Sequence, residues 1–191
     1  MGSWGATTAD EAKPKYLTAL EKEGAYATDR GWTVAAGGQG RAGADREVLV
    51  AIRGLGTEAT KLAEASISSF RFITTTTAAT HAAGANLDIN CSFNERVTVT
   101  GVPFVLVNNN NPGAESLEVD YLSGTGTNNL VFRKVMLTLD EAWNVDDELS
   151  IGADAIALNS GTIKDTVSTN NAVIDNTEAI GTAAGTITVS A

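Results

Sequence analysis

A single cysteine, Cys91, excludes an intrachain disulfide, and a single histidine, His81, excludes a histidine-rich metal centre. Basic residues are scarce: 13 Lys and Arg face 23 Asp and Glu, for a formal net charge of -10. A protein that grips a duplex displaces counterions with clustered cations. Here no basic run exceeds two residues, so no nucleic-acid partner is expected. Long apolar runs are missing too. None approaches the ~20 residues needed to cross a bilayer, so no membrane partner is expected either. The opening stretch MGSWGATTADEAKPK lacks the apolar segment of a signal peptide, which places synthesis in a cytoplasm. Aromatics are only 6% of the residues, whereas hydrophobic residues reach 43%. A packed core is therefore within reach, and the wealth of Gly, Thr, Ala and Asn suits a β-protein with many turns.

The residues of catalysis are missing as well. Nucleophilic or acid–base chemistry needs a nucleophile beside a base, or a pair of tuned carboxylates. His81 lies in the turn-like stretch ATHAAGAN, and Cys91 falls in register with apolar neighbours as a small buried residue. No carboxylate pair has a spacing that suggests catalysis. The Gly-rich segment at residues 35–43 (AAGGQGRAG) lacks the Lys-Ser/Thr of a phosphate loop and reads as a loop. No enzyme activity and no cofactor are expected.

What is present falls into three zones. Residues 1–47 are polar, Gly-rich and charged, with TALEKEGAYA at residues 18–27 as one or two helical turns. Thr18 is the expected N-cap and Glu21 its capping-box partner. Residues 48–66 are a connector holding a short strand, VLVAI, a GLG turn and a polar stretch at 57–65. From Ile67 the pattern becomes period two. Leu87, Ile89, Cys91 and Phe93 alternate with Asp88, Asn90 and Ser92, which describes a strand with one buried face. Strands follow near 97–99, 104–107, 117–121, 130–136, 149–151, 155–158, 162–164 and 185–190, with turns at 108–113 (NNNNPG) and 123–129 (SGTGTNN). This spacing predicts an antiparallel β-sandwich. The division is an N-terminal anchoring module and connector at residues 1–66 and a sandwich domain at 67–191. If the first 47 residues are only an anchor, their deletion leaves a folded sandwich.

Two groups of side chains invite a functional reading. Trp4, Tyr16 and Trp32 sit in a segment too short and polar to bury all three. They either pack on the sandwich and each other, or anchor the chain to a partner surface. Asp140, Asp146 and Asp147, with Glu141 and Glu148, carry enough oxygens for a weak Ca²⁺ site. The order DEAWNVDDE lacks EF-hand spacing, and a solvated acidic loop is the simpler reading, with Trp143 as a plug over one end of the sandwich.

The segments VTVTGVP (97–103), YLSGTGTNNLVF (121–132) and AIALNSGTIKD (155–165) resemble a bacterial and phage immunoglobulin-like repeat found in surface adhesins and virion proteins. The likeness spans about residues 67–175. The N-terminal stretch is similar to leaders of small structural proteins of marine tailed phages, through Trp4-Gly5, DEAKPKY (10–16) and ATDRGWTV (27–34). The resemblance implies an immunoglobulin-like sandwich behind a small irregular anchoring module. It further implies a capsid decoration protein on the outer surface of the virion head. Its partner would be the major capsid protein, with homo-oligomers on the shell. The alternative reading is an adhesive or carbohydrate-binding module of a virion fibre or cell surface, presenting Tyr121 and Trp143.

Overall fold

The computed structural model describes residues 12–35, 47–57, 62, 64–74, 80, 82, 84–111, 115–135 and 143–191. The chain is mainly β, and its antiparallel sheets form a sandwich-like arrangement close to a barrel.

The N-terminal part begins with a short helix, α1 (Ala19–Gly24), capped by Thr18. Thr18 Oγ1 accepts the Glu21 N–H at 3.3 Å, and Glu21 Oε2 accepts the Thr18 N–H at 2.7 Å. Two donors left unpaired by the first turn are thus satisfied reciprocally. The helix ends at Gly24, sooner than its composition suggests. Ala25 and Tyr26 instead enter a strand, where they are 0% and 2% exposed. Tertiary pairing outweighs local propensity here. Strands β1 (Ala25–Thr28), β2 (Gly31–Val34) and β3 (Glu47–Ala51) form an antiparallel sheet in that order. Gly31 closes the β1–β2 hairpin at φ 120, and a Cβ there would run into the Val50 carbonyl, so no other residue fits. The segment expected to be irregular therefore holds regular structure. Its four-residue strands are too short for their period to stand out in the sequence.

The remaining strands are β4 (Ile67–Ile73), β5 (Asn86–Thr100), β6 (Phe104–Asn109), β7 (Leu117–Ser123), β8 (Thr127–Val135), β9 (Glu148–Ser150), β10 (Ile156–Ala157), β11 (Thr162–Asp165) and β12 (Thr186–Thr188). They run in the order β11-β5-β8-β7-β6-β9-β12, with β4 also on β5 and β10 also on β6. Strand β5, 15 residues long, organises one side. One edge pairs with β8, and the other holds β4 at residues 88–93 and β11 at 97–100. A second helix, α2 (Glu178–Thr182), has no counterpart in the sequence reading. Asn108 and Asn109, expected in a turn, continue β6 and pair with Ser150 and Leu149.

The core behaves as the alternation predicts. Ile89, Cys91, Phe93, Val97, Val105, Val107, Val119, Leu130 and Phe132 are all 0% exposed. Trp143 joins this cluster, and its indole N–H donates to the Thr80 carbonyl at 3.0 Å. Burial pushes the Cys91 thiol well above its ordinary pKa. A thiol that is both enclosed and protonated is a poor nucleophile. Native protein should therefore resist thiol-specific labelling at neutral pH and take up label in full once unfolded in guanidinium. Rapid labelling of the native state would contradict this burial.

One expectation for β5 is overturned. The polar positions Asp88, Asn90 and Ser92 do not face solvent; they are only 4%, 7% and 0% exposed. Both faces of this part of β5 are covered, one by the apolar core and the other by the N-terminal sheet and α1.

Candidate functional site

The covered polar face of β5 is where the N-terminal part meets the sandwich, and Glu23 is its centre. The Glu23 carboxylate accepts the Arg71 Nε–H at 3.0 Å and the Asn90 Nδ2–H at 3.3 Å. Its backbone carbonyl accepts from Asn128 Nδ2 at 2.8 Å and Asn129 Nδ2 at 3.1 Å. Ser92 Oγ donates to Asn129 Oδ1 at 2.6 Å and accepts from Asn90 Nδ2 at 3.0 Å. Buried polar groups of this kind persist only when each finds a partner, and these do.

Two cations close the ends of the seam. Lys13 Nζ donates to the Lys22 carbonyl at 2.7 Å, to Ser68 Oγ at 3.2 Å and to the Phe93 carbonyl at 3.5 Å. Burial lowers its pKa to about 8, against the pull of Glu23 and with a small push from Lys22. Arg96 lies 4.8 Å over the Tyr26 ring, and its Nη2–H donates to the Tyr26 hydroxyl at 3.0 Å. This stacked, bonded geometry is the one a planar guanidinium favours. None of these seam residues stood out in the sequence. Polar side chains of ordinary type in a strand pattern read as a wet face.

The aromatic trio expected to anchor a partner separates. Trp4 lies outside the described residues. Trp32, in β2, is 2% exposed and packs with Ala27, Ile52 and Leu55, so it is a core residue and no surface anchor. The sheet has few large side chains with which to build its own core, and Trp32 fills it. Its ring lies 6.0 Å from Lys13 Nζ. Tyr16 is 68% exposed, and Leu20, on the first turn of α1, is 64% exposed. Leu17 between them turns inward against Ala25 and Val34. Among its described residues the N-terminal unit therefore presents Tyr16 and Leu20 most openly, with Val48 of β3 39% exposed.

The acidic loop also resolves residue by residue. Asp140 and Glu141 lie outside the described residues. Asp146 is exposed, in a turn at φ 70. Asp147 is 5% exposed, and it accepts from Asn109 Nδ2 at 2.7 Å, the Asn144 N–H at 2.8 Å and Asn111 Nδ2 at 3.1 Å. Its oxygens are thus committed to amide donors, which accounts for part of the Asn run beside it. No group of three or more ligand side chains able to hold a metal occurs among the described residues.

The rings proposed for a glycan platform are occupied too. Trp143 is buried, and Tyr121 stands edge-on to Phe132 at 5.9 Å while its hydroxyl accepts the Thr125 N–H at 2.8 Å. His81 lies outside the described residues. No helix among the described residues is long and apolar enough to cross a membrane. No protein-family model, curated protein or solved structure matches the chain.

Proposed function

We propose that the chain is a virion structural protein, a capsid decoration protein that binds the major capsid protein and displays an immunoglobulin-like domain on the head. The observation that carries this reading is the N-terminal unit itself. It exposes Tyr16 and Leu20 while a polar seam ties it to the sandwich. Aromatic side chains dominate the anchoring positions of protein interfaces, and a seam of hydrogen bonds fixes the displayed domain relative to its anchor. The net charge of -10 supports the same reading, because it keeps many copies soluble and apart on a crowded shell. Self-association into a small symmetric oligomer at shell symmetry axes belongs to this proposal. So does the absence of enzyme activity.

The test is co-sedimentation of purified protein with undecorated capsids. Wild type should bind at micromolar concentration, and a Tyr16→Ser, Leu20→Ser variant should bind at least about tenfold more weakly, a loss of about 1.4 kcal/mol. No binding by wild type sinks the proposal, and unchanged binding by the variant moves the contact elsewhere.

A further inference from the structure

Glu95 stands in the apolar register of β5, in line with Ile89, Cys91, Phe93 and Val97, and is 3% exposed. Asp165 ends β11 on the same inward face, behind Ile163, and is 2% exposed. The two strands pair with Asp165 opposite Val97, and the Thr166 N–H then donates to the Arg96 carbonyl at 3.0 Å, which runs the start of the loop alongside Glu95. The β5–β8 ladder is interrupted between Ser92 and Val97, so Glu95 lies in an irregular stretch, a usual place for a strand to re-aim a side chain. Neither carboxyl forms an ion pair among the described residues. Glu95 Oε1 and Asp165 Oδ2 are both buried, and no donor reaches either.

Two carboxylates in contact on a buried face cannot both ionise; one proton between them satisfies both orphaned oxygens. Asp165 is the member suited to stay charged. Its Oδ1 accepts the Val167 N–H at 2.7 Å and the Ser168 N–H at 2.8 Å. The loop winds round it: the Thr169 N–H donates to the Asp165 carbonyl, and the Asp165 N–H donates to the Asn170 carbonyl at 2.9 Å. Beyond the loop, Val173 pairs back with Ser66 ahead of β4. Glu95 and Val167 also line a cleft of about 330 Å³ against Tyr26, Ala27, Thr28, Asp29, Thr57 and Arg96.

We propose that Glu95 and Asp165 form a proton-sharing clasp that holds the loop at residues 165–173 against the sandwich beside this cleft, and that loss of the shared proton releases the loop. Among the described residues the charged and titratable groups around the clasp are few. On β5 there is Arg96, whose guanidinium is turned to Tyr26; on the β1–β2 hairpin, Tyr26 and the exposed Asp29; ahead of β4, Glu64; and on β11, the exposed Lys164. None places a cation on the pair.

The direction of the pH response follows from which state holds the proton. Burial, then the hydrogen bond to Asp165 and its negative charge, push Glu95 up to about 9. Burial alone would raise Asp165, but the hydrogen bond from Glu95 and the Ser168, Val167 and Ala65 amides bring it below its ordinary value. From the ordinary glutamate value to about 9, the folded protein therefore binds one proton more than the unfolded chain. Stability from this pair falls as pH rises through that window. It falls again in strong acid, once Asp165 is protonated.

The experiment compares wild type with Glu95→Gln by chemical unfolding from mildly acidic buffer to about pH 9. An amide donates to Asp165 with no proton to lose. The variant should show a flatter pH dependence of stability than wild type and a higher denaturant midpoint at the alkaline end. Parallel curves for the two proteins overturn the clasp. Should the variant fold poorly, hydrogen exchange on wild type decides. Corrected for intrinsic rates, protection of the Thr169, Ala172 and Val173 amides should drop by at least tenfold between those pH values, and constant protection overturns the proposal.

Discussion

Glu23→Ala is expected to loosen the N-terminal sheet from the sandwich by about 2 kcal/mol while the sandwich stays folded. The carboxylate serves two donors, and truncation strands both. The Asn90 amide is buried and loses an acceptor. The Arg71 guanidinium loses its ion pair, but its side chain is 42% exposed and reaches water, which trims the cost. The bonds from the Asn128 and Asn129 side-chain amides to the Glu23 backbone carbonyl survive the substitution. What the loosened unit uncovers is a polar face, Asp88, Asn90, Ser92 and Asn128, that water can solvate. Exchange protection should therefore fall at the Tyr26 and Thr33 amides and hold in β7 and β8. A double-mutant cycle with Arg71→Ala should return a coupling of about 1 kcal/mol. Uniform loss of protection across both parts would show that the N-terminal unit completes the core. It would also end the expectation that residues 1–47 can be removed from a folded sandwich.

Legibility in the sequence followed burial asymmetry. Strands with one wet and one dry face, such as β7 with Leu117 and Val119 inward and Glu118 and Asp120 outward, announced themselves by alternation. The capping box at Thr18 and Glu21 was legible because it is a local hydrogen-bonding device. Strand β5 misled because its second face is covered by hydrogen-bonded polar residues, and hydropathy does not distinguish a solvated Asn from one bonded to Glu23. Trp32 left two readings open for the converse reason: a large ring in a polar stretch can pack or anchor, and the short sheet it fills decides for packing. The clasp did leave a trace. Glu95 breaks the run Leu87, Ile89, Cys91, Phe93, Val97 at an inward position, and a charged residue in a buried register asks for a partner. That partner, Asp165, lies 70 residues on by its number, and only strand pairing brings it close.

The seam and the clasp share a design in which charge is placed inside and answered by a small, specified set of partners. Around Glu23 the answer is amide and guanidinium donors. In the clasp the answer is a proton, so it depends on pH. A decoration protein built this way would keep its anchor and its displayed domain in fixed register while the loop at 165–173 responds to pH independently.

Asp147→Ala should be the most damaging change in the acidic loop, costing about 3 kcal/mol. Three N–H donors converge on its carboxylate, from Asn109, Asn111 and Asn144, and the residue is nearly enclosed. Charge-assisted bonds of this kind are shorter and stronger than neutral ones, and their loss leaves donors facing a void. The Asp147 N–H and carbonyl also connect to the Asn144 and Val189 backbones, so a collapsed loop would carry the C-terminal strand region with it. Asp147→Asn keeps one acceptor oxygen and should cost roughly half as much. The same convergence argues against the calcium reading. A cation entering this site would have to displace amide hydrogens already pointing at the oxygens. Thermal unfolding should accordingly give the same Tm in millimolar Ca²⁺ and in chelator. A rise in Tm with Ca²⁺ that disappears in Asp147→Asn would restore a metal role to this loop, and a mild phenotype for Asp147→Ala would show that the Asn run finds other acceptors.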